Sequence, residues 1–211
     1  MVDIVTPEVS SWIADWQPED EALTAARGRA AEVGVAAVDP ATGAVLRLLA
    51  ASVGAKAAVE LGTGAGVSTL WLLRGLTSDG VLTTVDSDGE HQRLAKASLA
   101  DAGVPSGRVR LIQGRALDVL PRLSESAYDV VFCDAARSEN PDYLNAALTL
   151  LRPGGLVVFG GALAGGKVAE TTARDAETVA MRELAKLVRD EERLTAAMIP
   201  VGSGLLAATV A

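Results

Sequence analysis

Glu60-Leu61-Gly62-Thr63-Gly64-Ala65-Gly66 sets an acid and three alternate glycines between an apolar run and the apolar stretch that opens at Val67. Such a segment suits the cradling of a nucleotide-like ligand. Glycine has no Cβ, so the chain can turn tightly and a ligand can approach its backbone. A helix starting directly behind the loop presents unpaired N–H groups and the positive end of its dipole. Two more acids close apolar stretches: Asp86 follows Val81–Val85, and Asp134 ends Asp129–Asp134. An ionised carboxylate has two acceptor oxygens, which fits Asp86 to both hydroxyls of a ribose. Asp134, at the C-terminal end of a central strand, lies on the ligand side of an open α/β sheet; the alternative is a turn or helix-capping role.

The elements that must position these residues follow from periodicity. Ala57–Leu61 reads as a buried parallel strand, and Val67-Ser68-Thr69-Leu70-Trp71-Leu72-Leu73 as the helix after the glycine loop. The loop departs from the dinucleotide pattern G-x-G-x-x-G, because Val67 stands where the last glycine would fall. From Lys56 onward strand and helix alternate, which predicts a parallel sheet. Helix 88–102 stops at Gly103, and strand Val109–Ile112 leads to Gly114-Arg115-Ala116. Asn140-Pro141 caps a helix that Pro153-Gly154-Gly155 ends, and Leu156–Phe159 is the fifth strand. Helix 173–190 carries Ala176, Val179, Ala180, Leu184, Leu187 and Val188 on one face, and strands near 194–200 and 205–210 form a hairpin. Residues 1–55 read as a helical arm. Its second helix covers 20–32, and a third starts at Asp39-Pro40 with a cap and a proline in its first turn. Trp12 and Trp16, four apart, share a helix face that either anchors the arm to the core or a second subunit, or walls a pocket.

The 211 residues are read as one domain, with an arm over 1–55 and an α/β core over 56–211. An apolar share of 49% with 22% charged residues describes a globular chain. The net charge of −8, without a basic cluster, argues against nucleic acid as a partner. A single cysteine, Cys133, excludes an intrachain disulfide and fits a reducing cytoplasm. The N-terminus lacks the pattern of a signal peptide. No run reaches the ~18 apolar residues of a membrane span.

The E-x-G-x-G-x-G loop, Asp86, Gly114-Arg115-Ala116, Tyr128–Asp134 and Leu151-Arg152-Pro153-Gly154-Gly155 together resemble the class I S-adenosylmethionine-dependent methyltransferases. With Val38-Asp39-Pro40, the chain is most similar to bacterial O-methyltransferases related to the catechol and caffeoyl-CoA enzymes, and to a subgroup known from mycobacteria, over residues 20–211. The resemblance implies a Rossmann-like, seven-stranded, mostly parallel sheet with helices on both faces and an antiparallel seventh strand. It implies S-adenosylmethionine as cofactor, a small-molecule acceptor and a homodimer. Carried over residue by residue, it places Val38 against the cofactor and Glu60 at the loop backbone or the cofactor ammonium. Gly62, Thr63 and Gly64 fall along its methionine portion, Ser68 at its carboxylate, and Asp86 with Ser87 at its ribose. Arg115 and Ala116 flank its adenine, with Arg115 covering the base or reaching solvent, and Asp134 stands at the reacting end.

The resembled catechol-type enzymes hold a divalent metal with two acids and an amide, and use a lysine base. Here Asp134 keeps the first acid, but Gly160-Gly161 replace the Asp-Asn pair, Ala136 replaces a further acid and Arg137 replaces the lysine. One carboxylate is a poor site for a hard cation, and arginine is no ordinary base. No metal is therefore expected. Asp134 becomes the candidate for orienting or deprotonating an acceptor hydroxyl, and Arg137 for steering an anionic substrate. His91, at a charged helix start, is expected to be exposed rather than catalytic. Two alternatives stay open: a non-catalytic S-adenosylmethionine-binding protein, and a nicotinamide-nucleotide-dependent oxidoreductase.

Overall fold

The strand order β3-β2-β1-β4-β5-β7-β6 puts the glycine loop that follows β1 at the middle of the sheet, where the order reverses between β1 and β4. The strands are β1 Ala57–Leu61, β2 Val81–Asp86, β3 Val109–Gln113, β4 Tyr128–Cys133, β5 Leu151–Gly160, β6 Leu194–Ile199 and β7 Leu205–Val210. A computed structural model describes residues 6–211. β1 pairs in parallel with β2 and β4, as do β2 with β3 and β4 with β5, whereas β7 is antiparallel to both β5 and β6. The seven-stranded, mostly parallel expectation is borne out.

The helices are α1 Pro7–Trp16, α2 Glu21–Glu32, α3 Pro40–Ser52, α4 Val67–Gly75, α5 Gly89–Asp101, α6 Ala116–Val119, α7 Asn140–Leu150 and α8 Ala176–Asp190. Their starts are set by side-chain caps: Asp20 Oδ1 accepts from Leu23 N–H, Asp39 Oδ1 from Thr42 N–H and Asp175 Oδ1 from Thr178 N–H. Alternate strand residues point to opposite faces, which yields two cores. Ala58, Leu82, Val130, Phe132 and Val158 pack against α2–α5 through Leu23, Leu46, Leu70, Trp71 and Leu99. Val59, Val85, Val131, Cys133, Val157 and Phe159 pack against α6–α8 through Val119, Tyr143, Leu144, Met181 and Leu184.

Four local expectations need correction. Pro153-Gly154-Gly155 is not a helix stop outside the strand but lies within β5. Leu151 already pairs with Tyr128, and a register shift before Val130 accommodates the extra residues, with Gly154 at φ +74°. Asn140 is not a cap. It sits in the first helical turn, buried, and its Nδ2 donates to Met181 Sδ. α8 begins at Ala176, three residues after the expected start, because Asp175 caps it. Its buried face is Thr178, Ala180, Met181, Leu184 and Val188, which leaves Val179 and Leu187 exposed.

Trp12 and Trp16 are 67% and 72% exposed, so they neither anchor α1 to the core nor wall the cavity described below. No described helix is long and apolar enough to cross a membrane.

Candidate active site

The glycine loop leaves β1 through Gly62, whose N–H donates to Val85 O (2.8 Å), and enters α4 at Gly66. Both have positive φ, +94° and +89°. At Gly62 a Cβ would lie 2.5 Å from Asp134 O, and at Gly66 it would lie 3.2 Å from Ala95 Cα. Glycine is thus required twice, for conformation and for close approach to the end of β4 and to α5.

Beside this loop opens a cavity of about 350 Å³, within the ~300–1,000 Å³ range of small-molecule sites. Val38, Gly62, Thr63, Gly64, Ser68, Asp86, Ser87, Arg115, Ala116 and Asp134 all line it. Asp86 marks one end. Its Oδ2 accepts from Gly64 N–H (3.0 Å) and its Oδ1 from Asp88 N–H (2.9 Å), so the carboxylate is fixed against the loop. Asp134 marks the other end. Burial pushes its carboxyl up to about 6, against the nearby Arg137 charge, which leaves it mostly ionised at neutral pH and able to accept a proton.

Glu60 does not line the cavity, so of its two expected roles, at the loop backbone or at the cofactor ammonium, the second is not where the side chain sits. It is fully buried beneath the loop, where Oε2 accepts from Thr69 Oγ1 (2.6 Å) and Thr84 Oγ1 (2.7 Å). Burial raises its carboxyl to about 7, while the hydroxyls of Ser68, Thr69 and Thr84 pull the other way. The reason is geometric. β1 alternates, and Glu60 points into the layer between sheet and α4, where it ties the helix start to β2. Arg137 also lies outside the lining; its Nη1 donates to Glu177 Oε2 at 3.2 Å. Arg115 reaches solvent at its tip and donates through Nη2 to Glu139 Oε1 (3.1 Å), which in turn accepts from Tyr143 Oη (2.7 Å) through Oε2. Glu139 and Tyr143 line the cavity, so this chain of contacts closes one wall.

His91 was expected to be exposed, yet it lines the cavity with Nδ1 3.1 Å from Asp86 Oδ2. The signal was its place in the first turn of α5, close to Asp86 at the end of β2. Val35, Ala36 and Ala37 were missed as well. They form the turn before α3 and cover the loop, where a Cβ on Gly64 would meet Val35 Cγ1 at 3.2 Å. Arg27 holds this turn: Nη2 donates to Val38 O (2.8 Å), and the same guanidinium forks onto Glu19 (2.8 and 2.6 Å). Glu19 also accepts from Trp71 Nε1 (3.2 Å), linking the arm to α4.

The cavity therefore joins a fixed acceptor carboxylate, a helix N-terminus bordered by bare backbone, and a second carboxylate suited to taking a proton. Among the described residues no three His, Cys, Asp or Glu side chains converge to hold a metal ion. Gly160 and Gly161 offer only backbone at the end of β5.

Comparison with known proteins agrees with this arrangement. The family described as O-methyltransferase matches residues 20–210. A Mycolicibacterium vanbaalenii protein named "Putative O-methyltransferase" is 53% identical over 190 residues, covering 90% of this chain and 84% of that one. A crystal structure from Corynebacterium glutamicum superposes with a TM-score of 0.91 at 36% identity, covering 97% of this chain and 96% of the other. The O-methyltransferase TomG from Streptomyces achromogenes, solved in complex with S-adenosylmethionine, superposes with a TM-score of 0.89 at 34% identity, covering 96% of each chain. The oxidoreductase alternative is thereby set aside. A methyltransferase sheet, its ligand cavity at the strand-order reversal and a family match across nine-tenths of the sequence converge: the chain belongs to the O-methyltransferase family.

Proposed function

We propose that this chain transfers a methyl group from S-adenosylmethionine to a hydroxyl of a small-molecule acceptor, without a resident divalent metal. One observation carries the reading: a single cavity is lined by Gly62-Thr63-Gly64 together with Asp86 and Asp134, which stand at the ends of the strands on either side of β1. The TomG structure, similar in fold and sequence, holds S-adenosylmethionine. Asp86 and Ser87 would take the ribose, Ala116 and Arg115 the adenine, and Gly62, Thr63 and Ser68 the methionine portion, with Val38 covering them.

The cofactor supplies a methyl group already activated on a sulfonium, so this chain's work is to place an acceptor oxygen in line and remove its proton. Asp134 is the group for the proton: it stands at the cavity's far end and is mostly ionised at pH 7 to 8. The metal-free part rests on the donor set, since Asp134 has no second carboxylate or amide beside it from Gly160 and Gly161. The same reading includes a cytoplasmic homodimer, supported by one buried free cysteine, Cys133, and by the outward tryptophans of α1.

The test is methyl transfer from radiolabelled S-adenosylmethionine to a panel of hydroxylated small molecules, in chelator and then in Mg²⁺. Transfer indifferent to chelator is expected. Asp134→Asn should lower kcat/KM by roughly 100-fold or more, the usual worth of a positioned base, while cofactor affinity stays within a few-fold. Activity abolished by chelator would overturn the metal-free part. Tight cofactor binding with no transfer to any hydroxyl would return the chain to the binding-protein alternative.

A further inference from the structure

Just beyond Asp134, outside the cavity lining, two consecutive glycines end β5 and their bare backbone is covered by charge. A Cβ on Gly160 would lie 2.5 Å from Asp134 Oδ1. A Cβ on Gly161, whose φ is +66°, would lie 2.5 Å from Arg137 Nε and 2.9 Å from Arg137 Nη2. Consecutive Cα atoms are only ~3.8 Å apart. The carboxylate and the guanidinium therefore each cover one of two consecutive residues, and a Cβ on either glycine would displace the group over it.

The two groups do not neutralise each other by direct contact. Among the described residues the ion pair of Arg137 is with Glu177, through Nη1 at 3.2 Å, and Arg137 and Asp134 form none within 4 Å. Glu177 opens α8 and its side chain is 58% exposed. An exposed pair of this kind is worth little and yields to a competitor. It also shows that a carboxylate fits this guanidinium. The planar fork matches a planar oxyanion, and among the described residues Nε and Nη2 carry no carboxylate partner.

We propose, resting on the methyl-transfer reading above, that the acceptor is a vicinal hydroxy acid: its carboxylate seats on Arg137 over Gly161, and its neighbouring hydroxyl faces Asp134 over Gly160. The adjacency of the two glycines sets the adjacency of the two functional groups. In the reaction the hydroxyl proton passes to the Asp134 carboxylate and the new O–CH3 bond forms as the S–CH3 bond breaks. The sulfonium leaves as a neutral thioether, and the acceptor's carboxylate is unchanged. Arg137 is here a specificity residue that binds the part of the acceptor that does not react.

The experiment is calorimetric titration of the protein loaded with S-adenosylhomocysteine, in chelator, with two matched pairs: 2-hydroxybenzoate against 2-hydroxybenzamide, and an aliphatic 2-hydroxy acid against its amide. Each pair differs in charge at one group, so the preference reads the guanidinium. At least one acid is expected to bind ten-fold or more tighter than its amide. Arg137→Ala should erase that preference, Arg137→Lys should keep part of it, and Glu177→Gln should strengthen acid binding several-fold by removing the resident competitor. Unchanged affinity for S-adenosylhomocysteine shows that each variant is folded. No acid preference in either pair, or a preference that survives Arg137→Ala, overturns the proposal. Parallel turnover with S-adenosylmethionine separates the two readings. Transfer to neutral hydroxyls without acid preference defeats this inference alone, whereas acid preference without any transfer defeats the methyl-transfer reading and leaves the anion site standing.

Discussion

Glu60 shows how a residue can matter to a site without touching it. Gln92 Nε2 donates to Thr63 Oγ1 (3.0 Å), Thr63 and Thr84 share a hydroxyl hydrogen bond (2.7 Å), and Thr84 Oγ1 donates to Glu60 (2.7 Å). With Thr84 committed to Glu60, Thr63 must donate to Thr84, so one buried acid orders a chain running from α5 through the loop to β1. That acid carries a pH signature. Its carboxyl is raised from the ordinary 4.5 to about 7 by burial, so the folded protein holds a proton that the unfolded chain has released over that window. The stabilisation is fully present below about pH 4.5 and is lost as pH rises through 7, amounting to roughly 3 kcal/mol at ~1.4 kcal/mol per pH unit. Denaturant midpoints taken at pH 5, 6, 7 and 8 should fall for the wild type. Glu60→Gln keeps an acceptor for both threonines and cannot ionise, so its curve should be markedly shallower, with the remaining fall near pH 6 belonging to Asp134; parallel curves would show that Glu60 titrates like a solvent-exposed acid. Such detail was only partly legible in the sequence. The acids at strand ends could be placed because strand period and apolar runs fix where a strand stops. Which side of β1 Glu60 faces, and which side of α5 His91 faces, depends on the phase of an element, and a short apolar run does not settle phase.

The arm is the element that makes the cavity a cavity. α2 lies over α5 and α4, and from it Arg27 reaches the carbonyl of Val38 while Glu19 holds that guanidinium and the indole N–H of Trp71. The turn 35–38 is thus hung from α2 at both ends, by Val35 N–H on Ala30 O (2.9 Å) and by Arg27 on Val38 O. Removing the guanidinium leaves Glu19, whose side chain is only 9% exposed, without its ion-pair partner, and frees the turn. Arg27→Ala is expected to weaken S-adenosylmethionine binding by about 5- to 20-fold, the equivalent of about 1–2 kcal/mol, with Arg27→Lys intermediate; calorimetry reads it directly. Beneath the same arm, α3 crosses α4 at Gly43, where a Cβ would stand 2.3 Å from Trp71 Nε1. Gly43→Ala gains helix propensity but overpacks a buried indole, so a net loss of roughly 1–3 kcal/mol is expected on thermal or denaturant unfolding. None of these contacts was readable beforehand. Helices over 20–32 and from Asp39 follow from caps and a proline, but the pairing of Arg27 with Glu19 and Val38 joins separate elements. The same limit explains α8, where the expected face included Val179 and Leu187. The packing partner selected the stripe through Met181 instead, which lies against Asn140 of α7.

At the scale of the whole molecule, a parallel sheet follows from strand–helix alternation, and crossover connections leave few orders open; the order β3-β2-β1-β4-β5-β7-β6, with the cavity at its reversal, is one of those few. How copies of the chain associate does not follow from alternation and must be read from the surface. Trp12 and Trp16 on α1 and Leu48 on α3 are each about two-thirds or more exposed, and α1 packs beside α3, so the three belong to one end of the molecule. Bulky apolar groups left in water cost solvation free energy unless something covers them, and a second copy related by a two-fold axis offers each tryptophan the matching surface of its partner. A net charge of −8 on each chain opposes that contact at long range. Two dependences follow together. Light scattering should give twice the chain mass, and dilution should dissociate the dimer more readily at low than at high ionic strength, because salt screens the like charges while leaving apolar burial in place. Trp12→Ala combined with Trp16→Ala should shift the species to monomer while S-adenosylmethionine affinity holds, since neither residue lines the cavity. A monomeric wild type would remove the dimer from the proposal. A dimer that survives the double substitution would move the interface elsewhere, with the free edge of β6, where Thr195–Met198 lie exposed, as the next surface to alter.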